Sequence, residues 1–179
     1  MSTRHAHLKS PVSEHDHADG PADAAVTLVE YGDFECSHCG QAYPIVKEIQ
    51  ARLRGRLRFV FRNFPLTHSH AHALSAAEAA EAAAAQGKFW EMHGTLFEHQ
   101  KRLDDAHLIE YARSVGLDEP RFVAEMEARA HFTRVEAQFN GGVDSGVHAT
   151  PTFFINGVRH DGSWDFETLL TGCLSHMKT

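Results

Sequence analysis

Cysteine is scarce: three residues in 179 are too few to staple a fold, and the odd number leaves at least one thiol without a partner in the chain. Long apolar runs are missing as well. None approaches the ~20 residues that a membrane-spanning helix needs, so insertion into a bilayer is not expected. The opening Met1 to Ser10 has no apolar core of the kind a secretory leader carries, and a cytoplasmic location is therefore expected. Basic charge is in deficit, with 17 Lys and Arg against 24 Asp and Glu and a formal charge of -7. Such a balance repels a phosphate backbone and excludes nucleic acid as the main partner. What remains, 42% apolar and 23% charged residues, suits one well-buried globular domain. Fifteen histidines make the net charge sensitive to mild acid.

Residues 1–23 contain Pro11, Gly20, Pro21 and His5, His7, His15 and His17 without an apolar period, which predicts a flexible His-rich tail. The domain is expected to run from 24 to 179. Val26 to Tyr31 is short, β-branched and nearly all apolar, the pattern of a strand covered on both faces. From Ser37 to Arg54 the apolar residues Ala42, Ile45, Val46, Ile49 and Leu53 recur at helical spacing, with Pro44 as a kink. Arg56 to Asn63 predicts a second strand and completes a β-α-β unit. Alanine-rich and amphipathic segments between about 66 and 142 predict an inserted α-helical lobe, its last helix ending near Asn140, before Gly141-Gly142. Thr152 to Ile155, turned by Asn156-Gly157, predicts a hairpin, and Asp165 to His176 a terminal helix.

Chemistry concentrates in Cys36-Ser37-His38-Cys39. Three randomly placed cysteines give a pair at this spacing in about 3% of chains of this length. The pair falls where a buried strand meets a helix, and there the unpaired N–H groups and the positive end of the helix dipole favour a thiolate at Cys36. A thiolate attacks a disulfide, and a second thiol one turn away displaces the mixed disulfide, which assigns attack to Cys36 and resolution to Cys39. Ser37 and His38 occupy the bridge and are candidates to tune the thiolate by hydrogen bonding. The alternative is a structural pair or half of a zinc site in a non-catalytic peptide- or zinc-binding module. With no second C-x-x-C, and only Cys173 left over, one chain cannot supply four thiolates, so no metal is assigned.

With Phe34-Glu35-Cys36-Ser37-His38-Cys39, Phe61-Arg62-Asn63-Phe64-Pro65-Leu66 and Thr150-Pro151-Thr152-Phe153-Phe154-Ile155-Asn156-Gly157, the chain resembles the thioredoxin-like superfamily, most closely its DsbA-like branch. The resemblance covers about residues 21 to 176, with Ser37 replacing the proline usual in that bridge. It implies an α/β thioredoxin-like fold with an inserted α-helical lobe. It also implies a protein thiol-disulfide oxidoreductase that needs no dissociable cofactor, acts on protein or peptide thiols and disulfides, and relies on a redox partner that the sequence does not identify. Whether such an enzyme runs as an oxidase, a reductase or an isomerase is left open. The resemblance further implies a cis Thr150-Pro151 bond, with the Thr150 backbone pairing an extended substrate. Glu30 matches the family's buried acid near the resolving cysteine, and Pro44 its helix-kinking proline.

Phe89, Trp90, Met92 and Phe97 are expected in the core. His68 and His72 could seat a metal if a helix has already begun there, the blander reading being capping and solvation, while His70-Ala71 stands where the family often has His-Pro and suggests a helix-start role. Cys173 reads as a small buried hydrophobe.

Overall fold

The computed structural model of the protein describes residues 6–177. In chain order its elements are β1 (His17–Asp19), β2 (Val26–Gly32), α1 (Ser37–Arg52), β3 (Leu57–Asn63), α2 (Ala73–Ala85), α3 (Phe89–Glu98), α4 (Asp105–Ser114), α5 (Glu119–Glu127), α6 (Phe132–Asp144), β4 (Thr152–Ile155), β5 (Val158–Arg159) and α7 (Phe166–Ser175). Two compact units divide them. One holds the described parts of Met1–Gly32 and Asn140–Thr179 together with Gln41–Arg62; the other holds Asp33–Gly40 and Asn63–Phe139.

The first unit is built on a five-stranded sheet of order β1-β3-β2-β4-β5. Central β2 is buried along almost its whole length, as its unbroken apolar run requires. It pairs antiparallel with β4, setting Glu30 opposite Phe153, and its other neighbour, β3, follows it in sequence through α1. Pro44 lies inside α1, which continues to Arg52. The β4–β5 hairpin turns on Asn156 and Gly157, whose φ angles of 47° and 81° are the left-handed values a two-residue turn demands, hence the Asn-Gly pair. Helix α7 buries Leu169, Leu170 and Cys173, and Asp165 caps its start by accepting from the Thr168 amide at 3.0 Å.

Two expectations are corrected in this unit. Residues 6–23 are not a free tail: His17–Asp19 form β1 against Phe59–Phe61, His7 bridges to Val158, and the Lys9 amide donates to Ser145 Oγ. What holds them is a distant partner. The buried Arg62 guanidinium donates to both Asp16 carboxylate oxygens at 2.8 and 2.9 Å, to the Tyr31 hydroxyl at 3.0 Å and to the Ser10 and Pro11 carbonyls. Local periodicity cannot reveal a tether 46 residues away. His5 lies outside the described residues. The second correction is α6, which runs through Gly141-Gly142 to Asp144. Its stop is Gly146 (φ 80°), with the Val147 amide bonding Gly142 O and the Gly146 amide bonding Val143 O.

The second unit is helical. Helix α2 is buried on nearly every side, and its alanines let neighbouring helices come close. Its two buried glutamates are compensated: Glu78 pairs with Arg129 at 2.8 Å and Glu81 with Arg134 at 2.6 Å, while Asn63 Nδ2 also donates to Glu81 at 2.9 Å. A buried carboxylate without such partners would be costly. Phe89, Met92 and Phe97 lie in this unit's core and Trp90 is half-buried. Phe97 and His93 pack on Phe34, with ring centroids 4.9 and 5.7 Å away, and so anchor the segment that carries the cysteine pair.

Candidate active site

The segment Asp33–Gly40 carries Cys36 and Cys39 and is folded by its own short-range bonds. The Cys36 amide donates to Asp33 O at 3.1 Å and the Gly40 amide to Cys36 O at 3.1 Å, so Cys36 sits at the N-cap of α1, which begins at Ser37. There the first-turn N–H groups and the helix dipole favour negative charge on its sulfur. The two thiols differ in access. Cys36 retains 7% exposure and Cys39 none, and neither is disulfide-bonded. The Asp33 amide points at Cys39 Sγ across 3.5 Å. Ser37 and His38 lie exposed on the first turn.

The carbonyls of this segment are held from the helical part of the chain. Gln100 Nε2 donates to both Phe34 O and Cys36 O at 2.8 Å. Its carboxamide lies where a side chain at position 40 would begin, which explains the glycine there: a Cβ on Gly40 would collide with Gln100 Oε1. Gly40→Ala is therefore expected to force Gln100 off both carbonyls and, after the roughly 1 kcal/mol that alanine gains over glycine inside a helix, to leave a net cost of about 1 kcal/mol, measured by denaturant unfolding. An unchanged unfolding midpoint would contradict this reading.

Both acids beside the cysteines are engaged. The Asp33 carboxylate, fully buried, accepts from the Glu35 amide at 2.8 Å and the Leu66 amide at 2.9 Å, and lies 2.8 Å from His70 Nδ1. Glu35 accepts from the His72 amide at 2.7 Å and lies 3.1 Å from His72 Nδ1. Sequence reasoning gave His70 a helix-start role and paired His68 with His72 on a helix face. The helix face does not form, because α2 begins only at Ala73, while His70 stands ahead of that start, its carbonyl accepting from the Ala73 amide and its imidazole reaching Asp33. Asp33, Glu35, His70, His72 and Gln100 were thus missed as site residues. The one available signal was that two acids two apart sit in the strand-to-helix turn of the predicted β-α-β unit and two histidines two apart follow its end.

Four other predicted positions, Glu30, Thr150, Pro151 and Cys173, belong to the first unit. Glu30 is buried in β2, with its Oε1 3.1 Å from where a Cβ on Gly32 would stand. The Thr150–Pro151 peptide is cis, Thr150 is buried, and Thr152 Oγ1 donates to Ala149 O at 2.7 Å. Cys173 is fully buried, and burial pushes its thiol up to about 12. Alkylation of the reduced native protein at pH 8 is expected to modify Cys36 and spare Cys173 until denaturant is added, as peptide mass mapping would show. Early modification of Cys173 would contradict its burial.

A fold of this kind, with a Cys-x-x-Cys pair at the start of its first long helix, defines a thioredoxin-like protein. The family model described as Thioredoxin matches residues 12–171, and the chain belongs to that family. Among solved structures, BdbD from Bacillus subtilis in its oxidised form superposes with a TM-score of 0.82 at 23% identity, covering 92% of this chain and 94% of that one. The thiol-disulfide exchange protein alpha-DsbA2 from Wolbachia pipientis superposes with a TM-score of 0.76 at 22% identity, covering 89% and 86%. These likenesses show the thioredoxin fold with its helical insertion. In sequence, the Na(+)/H(+) antiporter NhaA 1 of Salinispora arenicola is 48% identical over 163 residues, 90% of this chain but 25% of the antiporter. The chain spans about a quarter of the length of the curated relatives it matches.

Proposed function

We propose that the protein is a thiol–disulfide oxidoreductase that exchanges disulfides with protein or peptide substrates through Cys36 and Cys39. The observation that carries this reading is the unequal placement of two reduced sulfurs at one helix N-terminus, Cys36 at the N-cap with residual exposure and Cys39 buried behind it. In the reducing direction the Cys36 thiolate attacks a substrate disulfide, forming a mixed disulfide and releasing one substrate thiolate. Cys39, deprotonated, then attacks Cys36 Sγ. The second substrate thiolate leaves, the Cys36–Cys39 disulfide forms, and the two protons lost by the protein thiols balance those gained by the substrate. Oxidation of a substrate dithiol is the same sequence reversed. The electron pair passes only between sulfurs, so no dissociable cofactor takes part.

Within this reading Ser37 and His38 tune the Cys36 thiolate, and Glu30, a buried carboxyl, takes the proton of Cys39. Thr150 and Pro151 present backbone to an extended substrate. In the curated relatives a segment like this chain is part of a longer polypeptide named as a Na(+)/H(+) antiporter, which makes a membrane antiporter a candidate partner. No described helix is long and apolar enough to cross a membrane itself. A cytoplasmic location is part of the proposal, and cell fractionation checks it. The test of the activity is incubation of reduced protein with a disulfide-bonded peptide. Release of two peptide thiols per Cys36/Cys39 pair oxidised supports exchange; inert cysteines in a protein that unfolds on chelation would point to a zinc module instead.

A further inference from the structure

An acid whose backbone contacts both cysteines is tied to a histidine that the exchange chemistry above does not use. Asp33 touches both cysteines through its backbone, its carbonyl accepting from the Cys36 amide and its amide facing Cys39 Sγ. Its buried carboxylate is held by the Glu35 and Leu66 amides and reaches His70 Nδ1 at 2.8 Å. Leu66 closes the ring, because its carbonyl in turn accepts from the His70 amide at 2.9 Å. Imidazole and motif are thus joined by a carboxylate whose two oxygens are both engaged. The His70 side chain keeps 24% exposure, so it can still exchange a proton with solvent.

We propose that Asp33 and His70 form a positioning pair, in which Asp33 fixes His70 as a cation whose field stabilises the thiolate of Cys36. The proposal rests on the exchange reading and deepens it. Partial burial alone would push the His70 imidazole down, but the hydrogen bond and charge of Asp33 outweigh that, with smaller contributions from Cys36 and Glu35, and hold it above the usual histidine range. Coupling between two titrating groups is reciprocal: as a Cys36 thiolate favours the imidazolium, the imidazolium favours the thiolate by the same free energy. The groups involved are Asp33, Glu35 and Cys36 on the motif segment and His72 beside His70, itself paired with Glu35. His70 is a second histidine acting on Cys36, besides His38 in the bridge.

The sign is definite. The imidazolium is present below the raised pKa of His70 and lost above it, so its help to the thiolate is greatest on the acid side and fades as pH rises. The test is the pH profile of Cys36 alkylation by iodoacetamide in the full chain, for the native protein, His70→Asn and Asp33→Asn, with thermal melting as a control for folding. His70→Asn keeps a hydrogen-bonding side chain but removes the charge. Its alkylation rate is expected to fall about threefold or more near pH 6 and to converge with the native rate above pH 9, a moderate effect because a more basic thiolate is also intrinsically more nucleophilic. Asp33→Asn should shift the profile the same way. A purely structural role gives a ratio independent of pH, and that result, or superimposable profiles in folded proteins, overturns the proposal. If native Cys36 is itself inert at every pH, the exchange reading fails first; a reactive native Cys36 with an unaltered His70→Asn profile removes only the positioning pair.

Discussion

Cys36→Ser is expected to lower disulfide-exchange turnover by about a thousandfold or more, the scale on which a reaction suffers when its nucleophile is removed. Serine oxygen neither ionises near neutrality nor attacks sulfur as a thiolate does. Cys39→Ser has a different signature. It leaves the attack intact and removes the resolving sulfur, so a mixed disulfide between Cys36 and the substrate should accumulate and be visible as a mass adduct cleaved by reductant. The contrast separates roles that a simple activity loss would merge. If Cys36→Ser instead trapped the adduct while Cys39→Ser abolished attack, the order inferred from 7% against 0% exposure would be reversed.

The largest effect on stability is expected from the Arg62–Asp16 pair. The Arg62 side chain is buried, at 6% exposure, and that of Asp16 largely so, at 10%, and Arg62 also satisfies Tyr31 and two carbonyls. Removing one partner leaves the other charge buried, which costs about 3–5 kcal/mol, so Arg62→Met should lower the unfolding free energy by that amount and release residues 10–16 to proteolysis. The double variant Arg62→Met with Asp16→Leu should recover part of the loss. Burial alone would raise the Asp16 carboxyl, but the Arg62 hydrogen bond, the Ser13 amide and the Arg62 charge hold it below the usual carboxylate range. A depressed carboxyl stabilises the fold above its unfolded-state pKa, and that stability is lost as pH falls through the folded one. Acid should therefore narrow the gap between native and Arg62→Met, as urea titrations across pH 2–7 would show. A gap that does not change with pH would contradict the ion pair as its source.

Much of this was legible from the residues. The unbroken apolar run of β2, the helical period after Ser37 and the Asn-Gly turn each encode their conformation locally, and Cys36-Ser37-His38-Cys39 encodes its chemistry in a single turn. Most of the features that were missed depend on partners distant in sequence. β1 is a His-Ala-Asp stretch with no strand pattern of its own, which pairs with Phe59–Phe61 next to the Arg62–Asp16 contact. α6 continues through two glycines, each costing about 0.5–1 kcal/mol against alanine inside a helix, and the left-handed stop comes only at Gly146. The Asp33–His70 and Glu35–His72 contacts span 37 residues each, and no local pattern states which acid meets which histidine. Gln100 reaches the Cys36 carbonyl across 64 residues, and no local pattern links it to Gly40, the residue that makes room for it.

Reversible dithiol–disulfide cycling of Cys36 and Cys39 tests the account most directly. The protein would be equilibrated in glutathione buffers of graded potential, quenched with an alkylating reagent and weighed. The account predicts a single two-electron transition, between about -270 and -120 mV, in which Cys36 and Cys39 are protected together while Cys173 stays a free thiol throughout. A pair that remains reduced, or that becomes blocked only through Cys173 or a second chain, over that whole span would contradict it.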